Sequence, residues 1–295
     1  MEELIVVNLF QAIFSGVVQG GVYALIALGY SIIFRTLRMG HFAQGEFYMF
    51  GAFLGLQFIT IWKLPALVSI ILAMVGTSVL MLVVEKLAYR KLYSAPLALL
   101  MSTMGMQYVI QEIARDIWGA DVYKSKSIFP DGSFSVGPFV FKYDYLLILC
   151  ISFGLILAFS LFMSKTKTGM AMNAVAMNRK AAALMGIRNE KIIRITYILA
   201  ACMAAVAGVM MGPIYSVKYS MGTTFGNKAL TAAVMGGFGS LPGAFLGSVL
   251  LGIIESLTNL YIGSKYGDVV TFIILVIVLF AKPQGLLGKK STSKV

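Results

Sequence analysis

Apolar runs constrain this chain more than any other feature. Segments near the roughly 20 residues that a helix needs to cross a hydrocarbon core follow one another along nearly all of its 295 residues. Read as helices, they fall at about 6–34, 43–62, 64–84, 96–118, 143–163, 192–215, a short broken piece at 229–239, 244–262 and 269–281. Nine spans is the central value of a range of about 8 to 10. No stretch is left over for a separate soluble domain, so residues 1–295 are expected to form one all-α, polytopic transmembrane helical bundle. Only 12% of the residues are charged, about half the fraction usual in soluble domains, which puts lipid against most of the surface. The start, Met1-Glu2-Glu3-Leu4, lacks the basic region of a cleavable secretion signal, and the run behind it outlasts a signal peptide, so the first helix is expected to be retained.

The formal charge of +12 does not indicate nucleic acid, because the basic residues are scattered through short loops. They report topology instead. Arg35 and Arg38, then Lys86, Arg90 and Lys91, then seven basic residues between Lys165 and Arg194, and finally the Lys282 to Lys294 tail mark one side as cytoplasmic. Glu2, Glu3, Asp121, Asp131 and Asp144, with a Gly/Pro hairpin around Pro130 to Pro138, mark the other side as extracytoplasmic. If the first run crosses once, the N-terminus lies outside and the C-terminus inside, in a multi-pass protein of the cell membrane.

Glycines four apart recur within the spans: Gly16 with Gly20, Gly51 with Gly55, Gly208 with Gly212, Gly243 with Gly247. They predict close helix crossings, where dispersion acts without a hydrophobic driving force. The stretch Met235-Gly236-Gly237-Phe238-Gly239-Ser240-Leu241-Pro242-Gly243 cannot continue an ordinary helix. It reads as a broken or re-entrant element beside the translocation path, or as a tight hairpin between two spans.

Intramembrane charges are costly and therefore candidate functional groups. Glu46 follows the polar run from His41 to Gly45. Gln107, Gln111 and Arg115 share a helix face, with Glu112 able to pair with Arg115. Asn227 and Lys228 precede the glycine-rich stretch, and Glu255 and Asn259 stand four apart after it. The candidate pathway set is Tyr23, Gln44, Glu46, Gln107, Gln111, Gly236, Gly237, Gly239, Glu255 and Asn259. His41 is the only histidine and is expected to hydrogen-bond near an interface. Cys150 and Cys202 have no metal-ligand spacing and read as packing thiols, and no nucleophile and base are arranged for catalysis. No GxxxxGK[ST] phosphate loop is present, so a chain that moves solute needs energy from elsewhere.

The segment 165–194 is too apolar and alanine-rich for a solvated linker. Asn178 is a plausible N-cap, Arg179 to Met185 a short helix and Gly186 its stop. Ala181, Ala182, Leu184 and Met185 would offer a small-residue face to a partner; the alternative is a helix lying on the membrane surface.

Lys180-Ala181-Ala182-Ala183-Leu184-Met185-Gly186 resembles the Glu-Ala-Ala-x-x-x-Gly coupling motif of ABC importer permeases. The block from Thr168-Gly169 to Gly186-Ile187, Gly21 to Gly29 with Phe42 to Ala52, and Ala232 to Ala244 are similar to the branched-chain amino acid permease family of LivH type. Two departures are Lys180 where the general motif has Glu, and the lack of a closing Leu-Pro. The resemblance implies an ABC importer permease fold and transport of branched-chain amino acids. It also implies a second homologous permease subunit, two ATPase subunits that bind the ATP, and an extracytoplasmic solute-binding protein. Asn178, Lys180, Ala181, Ala182, Leu184, Met185 and Gly186 would then couple the bundle to the ATPases, with no cofactor or metal on this chain itself. Competing readings are an ABC permease for amides, urea or sugars, and a secondary transporter, although the halves show no convincing repeat. An intramembrane enzyme lacks a constellation to support it.

Overall fold

The computed structural model describes residues 2–127 and 132–288. The expectations resting on Pro130, Asp131, Lys289, Lys290 and Lys294 lie outside the described residues. The helices are α1 (Glu2–Leu37), α2 (Gln44–Gly55), α3 (Ala66–Val84), α4 (Pro96–Trp118), α5 (Tyr143–Lys165), α6 (Lys167–Met177), α7 (Arg179–Leu184), α8 (Asn189–Tyr215), α9 (Met221–Gly236), α10 (Leu241–Tyr261) and α11 (Gly267–Ala281). Wide π turns extend α2 over Leu56–Ile61 and α3 over Glu85–Tyr89. A small antiparallel hairpin, β1 (Ser133–Val136) with β2 (Phe139–Lys142), turns at Gly137 and Pro138.

Local chemistry sets several of these boundaries. Pro96 opens α4, where its missing N–H costs nothing. Thr166 caps α6 by accepting from the Gly169 N–H at 3.0 Å, and Ser240 caps α10 by accepting from the Gly243 N–H at 3.2 Å.

Six helical segments are long and apolar enough to span a membrane: Ile5–Leu37, Ala66–Leu92, Tyr143–Lys165, Asn189–Tyr215, Leu241–Tyr261 and Ser264–Ala281. The remaining expected spans correspond to α2 with its π turn, to α4, and to α9. The chain is a multi-pass membrane protein. The long first run is one continuous helix, α1. It begins against the hairpin, with Phe10 and Phe139 rings 4.6 Å apart, and ends beside α6, where Arg38 donates to the Ala176 carbonyl at 2.9 Å. The two ends of the bundle are thus a hairpin end and a basic end.

Burial follows packing more than apolarity. α1 and α8 are largely buried, whereas α3, α5 and α11, no less apolar, expose most of their surface. α1 lies along α10, and α2 along α8. At the first crossing a Cβ on Gly16 or Gly20 would stand 2.7 Å from the Cα of Ile253 or Val249, so the backbones touch only because no side chain intervenes. Gly51 meets Ala205, and Gly208 meets Tyr48, at the second. The four-residue glycine pattern marks these crossings.

The structure also differs from the sequence expectation. The short piece expected at 229–239 is a regular helix, α9, that starts at Met221. The glycine-rich stretch is the turn from α9 to α10, with Gly237 at φ +114° and Gly239 at φ +87°. It sits at the basic end, where Phe238 packs on Phe34 with ring centroids 4.1 Å apart, and where Leu286 and Leu287 donate backbone hydrogen bonds to Met235 and Gly236 at 2.9 Å. Helix α6 was not foreseen: Thr166 supplied a cap signal, but the residues behind it carry no strong amphipathic pattern.

Candidate functional site

Helix α9 organises the polar interior because Thr223, Phe225 and Lys228, on its first two turns, reach partners on the helices around it. Lys228 places its Nζ 2.7 Å from Glu255 Oε1 on α10 and 2.8 Å from Asp268 Oδ1 on α11. Glu255 accepts a second hydrogen bond through Oε2 from the Tyr23 hydroxyl on α1 at 2.9 Å, and Gln19 Nε2 donates to that hydroxyl at 2.6 Å. Lys228 and Glu255 are buried, while the Asp268 side chain is 58% exposed. Two carboxylates against one ammonium leave a local excess of negative charge near the hairpin end. A buried pair of this kind persists only when its remaining hydrogen-bonding capacity is met, which Tyr23 does for Glu255.

Five residues earlier on α9, Thr223 donates to Glu46 Oε1 at 3.0 Å and accepts from Gln107 Nε2 at 3.2 Å. This links α2, α4 and α9. Glu46 is fully buried, and its Oε2 has no hydrogen-bond partner among the described residues. Gly222 packs directly on that carboxylate and leaves no space for a side chain. Between the two clusters stands Phe225, with ring centroids 6.0 Å from Tyr23, 5.3 Å from Tyr48 and 5.2 Å from Tyr215. The aromatic group closes the bundle between Glu46 and Glu255.

Above Tyr23, towards the hairpin end, lies a cavity of about 230 Å³ walled by Ser15, Gln19, Tyr145, Tyr215, Ser256 and Asn259 together with Val18, Met211 and Ile214. It shares Ser15, Tyr145 and Ser256 with a wider cavity of about 550 Å³ under the hairpin. Its lining sets hydroxyl and amide groups beside aliphatic side chains.

Of the candidate pathway residues, the structure brings Tyr23, Glu255 and Asn259 to the outer cavity and its floor, and Glu46 and Gln107 to the second cluster. Gln44 instead donates to the Ala200 carbonyl at 2.9 Å and ties α2 to α8. Gln111 is partly buried on α4, with no hydrogen bond among the described residues. Gly236, Gly237 and Gly239 lie in the turn at the basic end, remote from both clusters. His41 is buried between Phe47, Tyr89 and Tyr197, and neither ring nitrogen has a partner among the described residues, so the expected interfacial hydrogen bond is absent from them. Glu112 and Arg115 form an exposed pair on α4. Sequence reasoning passed over Gln19, Tyr215, Thr223, Phe225 and Asp268. A lysine inside an apolar helix was a signal that a carboxylate had to face it, and Asp268, in the first turn of α11, was available for that role.

The segment at the basic end has the local design its sequence suggests. Asn178 Oδ1 accepts from the Ala181 N–H at 3.0 Å, and Gly186, at φ +82°, ends the turn in the left-handed region. Arg179 is lashed to α1 by Nη2 and Nε donating to the Thr36 carbonyl at 2.8 and 3.3 Å, and burial draws its pKa down from the usual value. Met177, Leu184 and Met185 project outwards, 84%, 89% and 83% exposed. Lys180 and Ala181 are exposed too. Ala182, expected beside Ala181 on the outward face, is turned inwards and only 4% exposed. One step along a helix rotates a side chain by about 100°, and on this short helix that step carries Ala182 to the face packed against the bundle while Ala181 stays exposed.

Comparison with known proteins agrees with this architecture. Residues 12–279 match the family model described as branched-chain amino acid transport system / permease component. The chain is 36% identical to the high-affinity branched-chain amino acid transport system permease protein LivH of Salmonella typhimurium, over 97% of each chain. It is 35% identical to BraD of Pseudomonas aeruginosa, again over 97% of each, and 27% identical to a probable LivH of Methanocaldococcus jannaschii, over 92% of this chain and 90% of that one. A chain of the solved structure of PsaBC from Streptococcus pneumoniae in complex with Fab has the same fold, with a TM-score of 0.52 at 12% identity, over 92% of this chain and 91% of that one. Similarity along almost the full length, together with the polytopic helical fold, makes this chain a member of the permease-component family of branched-chain amino acid transport systems, of LivH type.

Proposed function

We propose that the chain is the membrane-spanning permease subunit of an ATP-binding-cassette importer that carries branched-chain amino acids across a bacterial cytoplasmic membrane. The observation that carries the ATP-driven part of this reading is the tip of the basic end. Three large apolar side chains stay exposed there, Met177 at the end of α6 and Leu184 and Met185 at the end of α7, the short helix that is capped, stopped and tied to α1. An exposed apolar cluster on a rigid mount is a docking surface. The partner it fits is an ATPase subunit, one of two, and ATP is bound there and not on this chain. A second, homologous permease completes the membrane unit, and a solute-binding protein delivers the amino acid to the hairpin end.

In this reading the basic end is cytoplasmic and the hairpin end extracytoplasmic, in line with the positive-inside rule. The amino acid enters through the cavity walled by Gln19, Tyr215, Ser256 and Asn259. The Tyr23–Glu255–Lys228–Asp268 network and the Phe225 aromatic group form its floor, closed in the conformation described. ATP-driven movement is passed from α7 by Arg179 and from α6 by Arg38 to the end of α1, the helix that carries Gln19 and Tyr23 further along. Transport thus needs a bundle with two packings, biased in turn by the ATPases and by the loaded binding protein. Proteoliposomes containing this chain, its partner permease and both ATPases should take up labelled leucine only with ATP inside and loaded binding protein outside. Concentrative uptake by this chain alone, driven by an ion gradient, would overturn the reading.

A further inference from the structure

Away from the polar interior, a second kind of cavity opens at the basic end. It measures about 420 Å³ and lies between the last turn of α1, α6 and the turn from α9 to α10. Arg35 and Arg38 line it, and among the described residues no acidic one does. The ion pairs among the described residues engage Arg90, Arg115, Arg194 and Lys228. Arg35 is in none of them and makes no hydrogen bond among the described residues. Arg38 uses one donor on the Ala176 carbonyl and stands at φ +60°, a conformation that favours glycine and costs other residues free energy.

The Arg35 and Arg38 guanidinium groups share this wall, Arg35 partly buried and Arg38 exposed, and like charges on one wall repel each other unless an anion lies between them. The same wall holds the start of α10, at Ser240 and Leu241, whose dipole adds positive potential. A water occupies about 30 Å³ of liquid, so the cavity has room for a phosphate ester and its hydration. Basic pockets between membrane helices on the cytoplasmic side suit phosphate-bearing headgroups, and the basic end is that side in the function proposed above.

We propose that this cavity binds a phosphate group, presented either by an anionic phospholipid or by a soluble phosphate. An anion there bridges the end of α1 to the start of α10 and braces α6, which carries Asn173, Ala176 and Met177 into the same wall. The site does not depend on which solute the protein carries.

The test uses the purified full chain in nanodiscs of phosphatidylcholine, with phosphatidylglycerol titrated into the lipid in one arm and radiolabelled inorganic phosphate added to the buffer in the other. Arg35→Gln is the informative variant, because Arg35 makes no internal bond that its loss would break. Each basic group near an anion changes affinity roughly fivefold. Arg35→Gln should therefore weaken saturable binding about fivefold, and Arg35→Gln with Arg38→Gln roughly thirtyfold. Arg115→Gln, on the exposed α4 pair, should leave it unchanged. Binding confined to the phosphatidylglycerol arm assigns the site to lipid, and binding in the phosphate arm assigns it to a soluble anion. Absence of saturable binding in both arms, or equal affinity in wild type and Arg35→Gln, overturns the proposal.

Discussion

Replacement of Lys228 by alanine probes the interior most directly. The ammonium lies 2.7 Å from a buried carboxylate, Glu255, and 2.8 Å from a half-exposed one, Asp268. Removing it leaves Glu255 with the Tyr23 hydroxyl as its remaining donor. Breaking a buried pair by deleting one partner costs about 3–5 kcal/mol. Removing the solvent-facing carboxylate, as in Asp268→Asn, should cost only about 0–1 kcal/mol, as for other exposed pairs. At roughly 2 °C per kcal/mol for a chain of this size, Lys228→Ala should lower the thermal midpoint by about 6–10 °C and Asp268→Asn by about 2 °C or less. Lys228→Met combined with Glu255→Gln removes both buried charges, and neutral replacement of a buried pair is often harmless. The double variant should therefore recover most of the loss. Thermal unfolding in detergent, followed by size-exclusion chromatography of the heated samples, measures all three. If Lys228→Ala and Asp268→Asn fall equally, or if the double variant is worse than Lys228→Ala, the buried pair is not what holds α9 to α10.

Three further outcomes are expected. Gly186→Val forces a β-branched residue to φ +82° with no neighbour within 4 Å, so any effect is backbone strain; co-purification of the ATPase subunits should drop while Gly186→Asn is tolerated better. Leu184→Asp should reduce ATPase co-purification and leave the thermal midpoint unchanged, whereas Ala182→Trp should lower the midpoint through overpacking of about 1–3 kcal/mol, the reverse of what a shared outward face would give. Met185→Cys, in a background lacking Cys150 and Cys202, should resist an impermeant thiol reagent in intact cells and react in inverted vesicles stripped of the ATPase subunits; the opposite pattern would reverse the assigned sidedness.

The parts of this protein that depend on neighbours in sequence could be read without a structure. Span positions follow from apolar length alone, because lipid demands it wherever the helix sits. The cap at Asn178 and the stop at Gly186 act over three or four residues, so their residue types suffice to identify them. Glycines four apart announced the crossings of α1 with α10 and of α2 with α8. Tertiary structure decided what involves distant partners. Tyr23 meets Glu255 across 232 residues and Glu46 meets Thr223 across 177, and no local pattern names such partners. It also decided which spans lie inside, since lipid is as apolar as leucine and hydropathy cannot sort α1 and α8 from α3 and α11. And it turned Ala182 inwards and moved Gly236, Gly237 and Gly239 to the basic end, because the phase of a short helix and the depth of a turn are fixed only by what the chain packs against.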